Sequence, residues 1–413
     1  MSTGSPAPAL SLLRNRGFAE VLAYRIFALL SYQIVAVTVG WHIYELTRDP
    51  FSLGLVGLAE VLPFFCVAPF AGYLVDHLPR RKLGIAACAA LASTALILVG
   101  VTTGWLPVEG TWAIYAAIAL TGMARSFLSP IYNALFARTL AREDFVRGAG
   151  LGSVIFQAAL VMGPALGGLL VGYGGKSLSY GVAVVFALFA GTVLARLRVE
   201  EPGPPAVSLP IFASIAQGAR FVLGNQIMLG AMALDMFSVL LGGVVAMLPA
   251  FIHDILHYGP EGLGILRAAP AVGSICVGLW LARRPLQEHA GRVLLLSVTG
   301  FGLCVIAFGL SRSFWLSALI LVAYGMCDGV SVVVRSTILQ LATPDEMRGR
   351  VSSINGIFIS SSNELGAFYA GTMARLLGLV PAVIVGGFAI LAVAGMTSWK
   401  APRLRTLDLR ELQ

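Results

Sequence analysis

Apolar residues dominate this chain in blocks of about twenty, the length at which a helix rising about 1.5 Å per residue crosses a hydrocarbon layer. Read as helices, the blocks predict twelve spans near 18–44, 51–76, 83–103, 112–137, 148–172, 178–195, 226–252, 260–282, 292–310, 314–340, 351–374 and 378–398. Turn chemistry separates most of them: Asp49-Pro50, the stretch from Gly104 to Gly110, Gly174-Gly175, Gly259-Pro260 and Thr343-Pro344. The first and tenth blocks are long enough to be split, which would change the parity. The longest polar interruption runs from Arg196 to Gln217 and leaves six blocks on each side. The expected fold class is therefore all-α: a polytopic membrane protein with twelve transmembrane helices in two pseudo-symmetric six-helix bundles. Its expected divisions are an N-terminal bundle over 1–195, a cytoplasmic linker over 196–225, a C-terminal bundle over 226–398 and a cytoplasmic tail over 399–413. The linker begins Pro-rich and extended, whereas the stretch from about Ser208 to Leu223 has an apolar face suited to a helix along the membrane interface.

Composition strengthens the membrane reading. Of the 413 residues 58% are hydrophobic and 12% charged, against about 25% charged in an average globular chain. Residues 1–17 lack the apolar core and small-residue site of a cleavable signal, so the first span is expected to be its own insertion signal. Twenty of the 28 Lys and Arg fall in segments that are cytoplasmic when the N-terminus is inside, while Arg48, Lys176, Arg312 and Arg375 fall on the opposite side. That bias predicts two cytoplasmic termini in a bacterial inner membrane. It also accounts for the net charge of +8 without nucleic acid, and makes the basic loops partners for anionic lipid headgroups.

Signs of catalysis are missing from the sequence: it has no GxxxxGK[ST] loop, no HExxH and no soluble stretch long enough to hold either. The chain is read as no enzyme, with no cofactor and no metal, and its energy must come from an ion gradient or from the substrate's own. Cys66, Cys88, Cys276, Cys304 and Cys327 all fall inside spans with no CxxC pair, and are read as small buried hydrophobes in place of a disulfide or metal site. His253, Asp254 and His257 read as a solvated outer loop.

The chemistry lies in eight charges inside the apolar blocks: Arg25, Glu60, Arg125, Asp235, Arg267, Asp328, Arg335 and Glu364. Each costs about 2.5–3.5 kcal/mol to insert, and such residues usually face a bundle interior where they mark an ion or substrate path. A carboxylate withdrawn from water takes up a proton more readily, which makes Asp235, Asp328, Glu364 and Glu60 candidates for proton coupling. Arg25, Arg125, Arg267 and Arg335 are candidates for a polar substrate group, since a guanidinium offers a fork of donors to carboxylate, phosphate or catecholate oxygens. Tyr32, Phe127, Tyr132, Phe237, Phe358 and Tyr369 suit walls for an aromatic or amphipathic ligand. A static ion pair explains any one charge as well as transport does, and helix packing explains each aromatic taken singly.

Thr-Leu-Ala-Arg-Glu-Asp-Phe-Val-Arg-Gly from Thr139 and Leu-Ala-Thr-Pro-Asp-Glu-Met-Arg-Gly-Arg from Leu341 follow the fourth and tenth spans, and Gly72 to Asp76 resembles Gly278 to Ala282. Similar offsets in equivalent loops argue for a duplicated six-helix unit, an arrangement that places a substrate near the bilayer midplane. The loop Gly72-Tyr73-Leu74-Val75-Asp76-His77-Leu78-Pro79-Arg80-Arg81-Lys82 resembles the signature of the major facilitator superfamily. The resemblance implies a cytoplasmic latch made by Gly72, Asp76, Arg80 and Arg81. Pro79 stands where the family usually has Gly, and Ala282 removes the second half's equivalent of Asp76. Gly150, Gly163, Pro164, Gly167 and Gly168, with Ala159 at a usual Gly position, look like the antiporter signature of the superfamily's exporters. Tyr24-Arg25, Tyr44 to Thr47 and Thr343 to Ser353 are similar to the branch of enterobactin-type siderophore exporters and macrolide-type efflux pumps. In this fold every third helix is peripheral, and the third, sixth, ninth and twelfth spans carry none of the eight charges. The expectation is a monomeric secondary exporter of a small amphipathic molecule, siderophore-like or drug-like, working by alternating access in exchange for protons. A lipid or lysophospholipid flippase of the same fold and a non-transporting membrane sensor or scaffold are the alternatives.

Overall fold

A computed structural model describes residues 9–106, 110–199, 211–283, 288–344 and 347–412. Its helices are α1 (Arg16–Thr47), α2 (Pro50–His77), α3 (Arg80–Thr103), α4 (Trp112–Thr139), α5 (Phe145–Arg196), α6 (Ile211–Gly224) and α7 (Gln226–Leu241). They continue as α8 (Val244–Asp254), α9 (Pro260–Arg283), α10 (Ala290–Leu310), α11 (Phe314–Ala342), α12 (Arg348–Leu377), α13 (Leu379–Lys400) and α14 (Pro402–Arg405). Among the described residues ten helical stretches are long and apolar enough to cross a membrane.

Two details carry those ten stretches to twelve crossings. α5 runs for 52 residues, about twice a bilayer's need, and Gly175 breaks it with φ 77° and ψ 172°, a backbone shape open almost only to glycine. It is two crossings joined at a turn that keeps helical residues on both sides. α12 is 30 residues long but dilutes its apolar residues with Ser361, Ser362, Asn363, Glu364 and Arg375, so length and not hydropathy marks it as a span. The seventh crossing is itself interrupted: α7 ends at Leu241 and α8 resumes at Val244, with Gly242-Gly243 between them. The fold is all-α and polytopic, with twelve crossings.

The helices group into two compact units, one of Met1–Val39 with Leu62–Ser208, the other of Gly40–Val61 with Leu209–Gln413. In the first, α3 packs against both α4 and α5. Its core joins Phe18, Leu22 and Tyr24 of α1 to Cys88 and Leu91 of α3, Ile131 and Leu135 of α4, and Leu194 of α5. In the second, α9 packs on α11, α10 on α11 and α13, and α7 on α12. The end of α1 and the start of α2 belong to this second unit because α2 lies flush on α12: a Cβ at Gly57 would fall 2.8 Å from both Ala367 Cβ and the Glu364 carbonyl oxygen. α6, which falls in the polar interruption between the sequence halves, buries Val222 with Met228, Met232, Leu339, Val351 and Ile354.

Candidate functional site

Three constellations of charge lie inside the membrane-spanning helices, two in the first unit and one in the second. The first begins at Arg25 on α1. Its guanidinium carbon stands 3.8 Å from the centre of the Tyr132 ring on α4 and 5.2 Å from that of Phe156 on α5. Gly152 makes room for this meeting, since a Cβ there would run into the Tyr132 hydroxyl and come within 3.2 Å of Arg25 Nη1. A cation held over aromatic faces gains about 2 kcal/mol or more when water is excluded. Aromatic rings thus solvate Arg25 where the bilayer offers no water.

The second constellation repeats the device. Arg125 on α4 lies 5.1 Å from the ring centre of Tyr32 on α1 and 5.5 Å from that of Phe64 on α2. Arg125 is partly buried and neighbours the buried Ala124 and Ser126.

In the second unit Asp235 on α7 forms an ion pair with Arg335 on α11. Asp235 is 7% exposed and Arg335 3%, so neither charge is satisfied by water. Asp328, two turns before Arg335 on α11, borders a cavity with Asp235, Ser238, Val239, Phe301, Cys327 and Ser331. Two carboxylates thus border one cavity with Ser238 and Ser331, and one of the two is paired with Arg335.

The other residues singled out by sequence lie on α2, α4, α7, α9 and α12. Glu60 is buried on α2, while Glu364 and Arg267 are partly buried on α12 and α9. Phe127 packs against the first unit's core and Phe358 against the cluster around Met228. Tyr369 lines a separate hollow with Gly242, Gly243 and Val244, and Phe237 is 43% exposed. None of Phe237, Phe358 and Tyr369 borders the cavity that holds Asp235 and Asp328.

The residues read as a solvated outer loop are exposed, with His253 and Asp254 at the end of α8, and they join a polar network with the end of α1. Tyr44 donates to Asp254 Oδ2, His253 Nδ1 lies 2.6 Å from Asp254 Oδ1, and Arg48 contacts His253 Nε2. Residues about two hundred positions apart meet here, which no local pattern announces. Phe64, Phe156 and Gly152 were likewise invisible beforehand, since nothing sets them apart from the other phenylalanines and glycines of the chain.

The family model of the Major Facilitator Superfamily matches residues 21–367. The chain belongs to this superfamily. It is 26% identical over 393 residues to the enterobactin exporter EntS of Shigella boydii, an alignment covering 93% of this chain and 92% of that one. The enterobactin exporter EntS of Escherichia coli matches at the same identity and coverage. A bacterial homologue of the human lysosomal transporter Spinster superimposes with a TM-score of 0.72 at 14% identity, covering 99% of this chain and 98% of that one. The nucleoside transporter NupG gives a TM-score of 0.68 at 15% identity, covering 92% and 99%. The likeness to these two solved structures is one of fold.

As a member of the Major Facilitator Superfamily the chain is a multi-pass membrane transporter of a small molecule. On α2, a Cβ built on Gly72 would meet open space. Arg80 Nε donates to the Val75 carbonyl at 3.2 Å and Arg81 Nη1 to the Leu197 carbonyl at 3.3 Å. The Asp76 side chain lies outside the described residues. On α5, Gly163, Pro164, Gly167 and Gly168 are buried. A Cβ on Gly163 would lie 2.5 Å from Gln33 Cβ of α1, and one on Gly167 would lie 3.2 Å from Val37 Cβ. Gly150 faces open space.

Proposed function

We propose that this transporter is a secondary exporter that moves a small amphipathic molecule out of the cytoplasm by alternating access, in exchange for protons. The observation that carries the proton half is the Asp235–Arg335 pair with Asp328 on the same cavity. A proton arriving at Asp235 weakens its hold on Arg335, which shares α11 with Asp328. Binding energy at one site thereby changes which arrangement of α7 and α11 is favoured, which is what coupling requires. Glu364 and Glu60 are further candidates for the same role.

The substrate class is siderophore-like or drug-like. Similarity to enterobactin exporters supports the first, and guanidinium groups framed by aromatic rings at Arg25 and Arg125 suit aromatic ligands bearing oxygen anions. The two six-helix halves, 1–195 and 226–398, are the bodies that rock. Gly72, Asp76, Arg80 and Arg81 serve as the cytoplasmic latch, and the glycines of α5 as the antiporter element.

The test is flux in proteoliposomes with enterobactin and the amphipathic cation ethidium as probes and an imposed pH gradient. Wild-type flux should follow the gradient. Asp235→Asn, Asp328→Asn and Glu364→Gln should weaken that response while probe binding persists. Wild-type gradient-driven flux in all three variants would rule out the carboxylate mechanism, and downhill flux indifferent to pH would replace exchange by uniport.

A further inference from the structure

All five cysteines are free thiols, but they are not alike. Cys88 is the only buried one, and Cys66 and Cys276 lie on exposed helix faces, so the sequence reading of five buried side chains is corrected. Cys304 on α10 and Cys327 on α11 are partly buried, and their side chains hydrogen-bond each other. Two independent contacts fix that register. A Cβ on Gly300, one turn before Cys304, would lie 2.9 Å from Cys327 Sγ, so the sulfur fills the notch that Gly300 leaves. Alongside, the rings of Phe301 and Tyr324 pack with centroids 4.2 Å apart and planes 31° from parallel. Only Ser311 to Ser313 separate the two helices in the chain, which leaves them little freedom to slide. Cys327 also borders the cavity shared by Asp235, Asp328, Ser238 and Ser331.

We propose that Cys304 and Cys327 form a modification site, a dithiol that a two-electron oxidant closes to a disulfide between α10 and α11. Two S–H bonds break and one S–S bond forms. The two electrons and two protons pass to the oxidant, reducing a peroxide to two waters or an azo compound to its hydrazine. Sulfurs already in hydrogen-bond contact close to about 2.05 Å by rotation of the two side chains and a small shift of the helices. The cross-link ties to α10 the part of α11 next to Asp328. Cys66, Cys88 and Cys276 lack such a partner and serve as internal controls.

The experiment treats the full-length protein in lipid nanodiscs with the azo oxidant diamide, then denatures it, alkylates with N-ethylmaleimide and maps the peptides by mass spectrometry. Untreated protein should carry five alkylated cysteines. Oxidised protein should lose the label at Cys304 and Cys327 alone, yield their peptides as a linked pair within one chain, and regain both labels with dithiothreitol. Cys304→Ser and Cys327→Ser should each keep every remaining thiol after oxidation. The proposal is overturned if wild type keeps all its labels, if the lost thiols lie at the other three positions, or if the linkage joins two chains. The wild-type map decides these points even should a serine variant fail to fold.

Discussion

Asp235 and Arg335 show what a charge costs and contributes at the scale of one residue. Both are buried, so each stabilises the other chiefly by cancelling a desolvation cost that its absence would expose. Asp235→Asn should therefore lower stability by about 3–5 kcal/mol, read as a fall in thermal unfolding temperature in detergent. Adding Arg335→Gln should recover most of the loss, and a double variant no more stable than the single one would deny the pairing. Arg125 stands over the rings of Tyr32 and Phe64. Arg125→Ala should abolish enterobactin binding while the unfolding temperature holds, a result that would mark it as a substrate residue. Large destabilisation with normal binding would make it structural. All eight charges were legible in the sequence, since a charge in an apolar block stands out against its neighbours. Their partners were not, because Asp235 and Arg335 lie on different helices far apart in the chain, and Phe64 or Phe156 looks like any other membrane phenylalanine.

At the scale of the element, α5 shows why identical glycines carry unequal weight. Gly150 and Gly163 both belong to the pattern on that helix, yet a methyl group meets open space at the first and Gln33 Cβ at 2.5 Å at the second. Gly163→Ala should separate α5 from α1 and cost about 1–3 kcal/mol, whereas Gly150→Ala should leave the unfolding temperature unchanged or raise it slightly through better helix propensity. Equal effects at the two sites would show that the glycines act through backbone flexibility and not through helix contact. The start and end of most helices were readable from Pro and Gly. The division of the seventh crossing at Gly242-Gly243 was not, because hydropathy runs unbroken from α7 into α8. The same blindness to geometry hid the Cys304–Cys327 meeting, which depends on the register of two neighbouring helices and leaves no mark on composition.

For the whole molecule, twelve crossings and a repeat of six were open to a reading of hydropathy, since bilayer thickness allows few solutions for such a chain. The grouping of Gly40–Val61 with the second unit was closed to it, because α1 and α2 are continuous helices whose sequence does not show where their neighbours change. Orientation is the property of the whole that the distribution of charge decides. The loop and tail positions Arg14, Arg16, Arg80, Arg81, Lys82, Arg138, Arg403 and Arg405 all fall on one side of a twelve-crossing path, and Arg48, Lys176, Arg312 and Arg375 on the other. Since positive loops stay in the cytoplasm during insertion, we propose that the basic side is the inner one. Green fluorescent protein fused at either terminus should fluoresce in a bacterial host. Alkaline phosphatase inserted between Gly104 and Thr111, in the turn between α3 and α4, should be active outside. Replacing Arg80, Arg81 and Lys82 together by Gln should leave both termini inside, because the bias is spread over many loops and no single cluster carries it. Phosphatase activity at the C-terminus of the unmodified chain would mean an odd number of crossings, and would place the break of α5 at Gly175 or that of α7 and α8 at Gly242-Gly243 first among the turns to be reassigned.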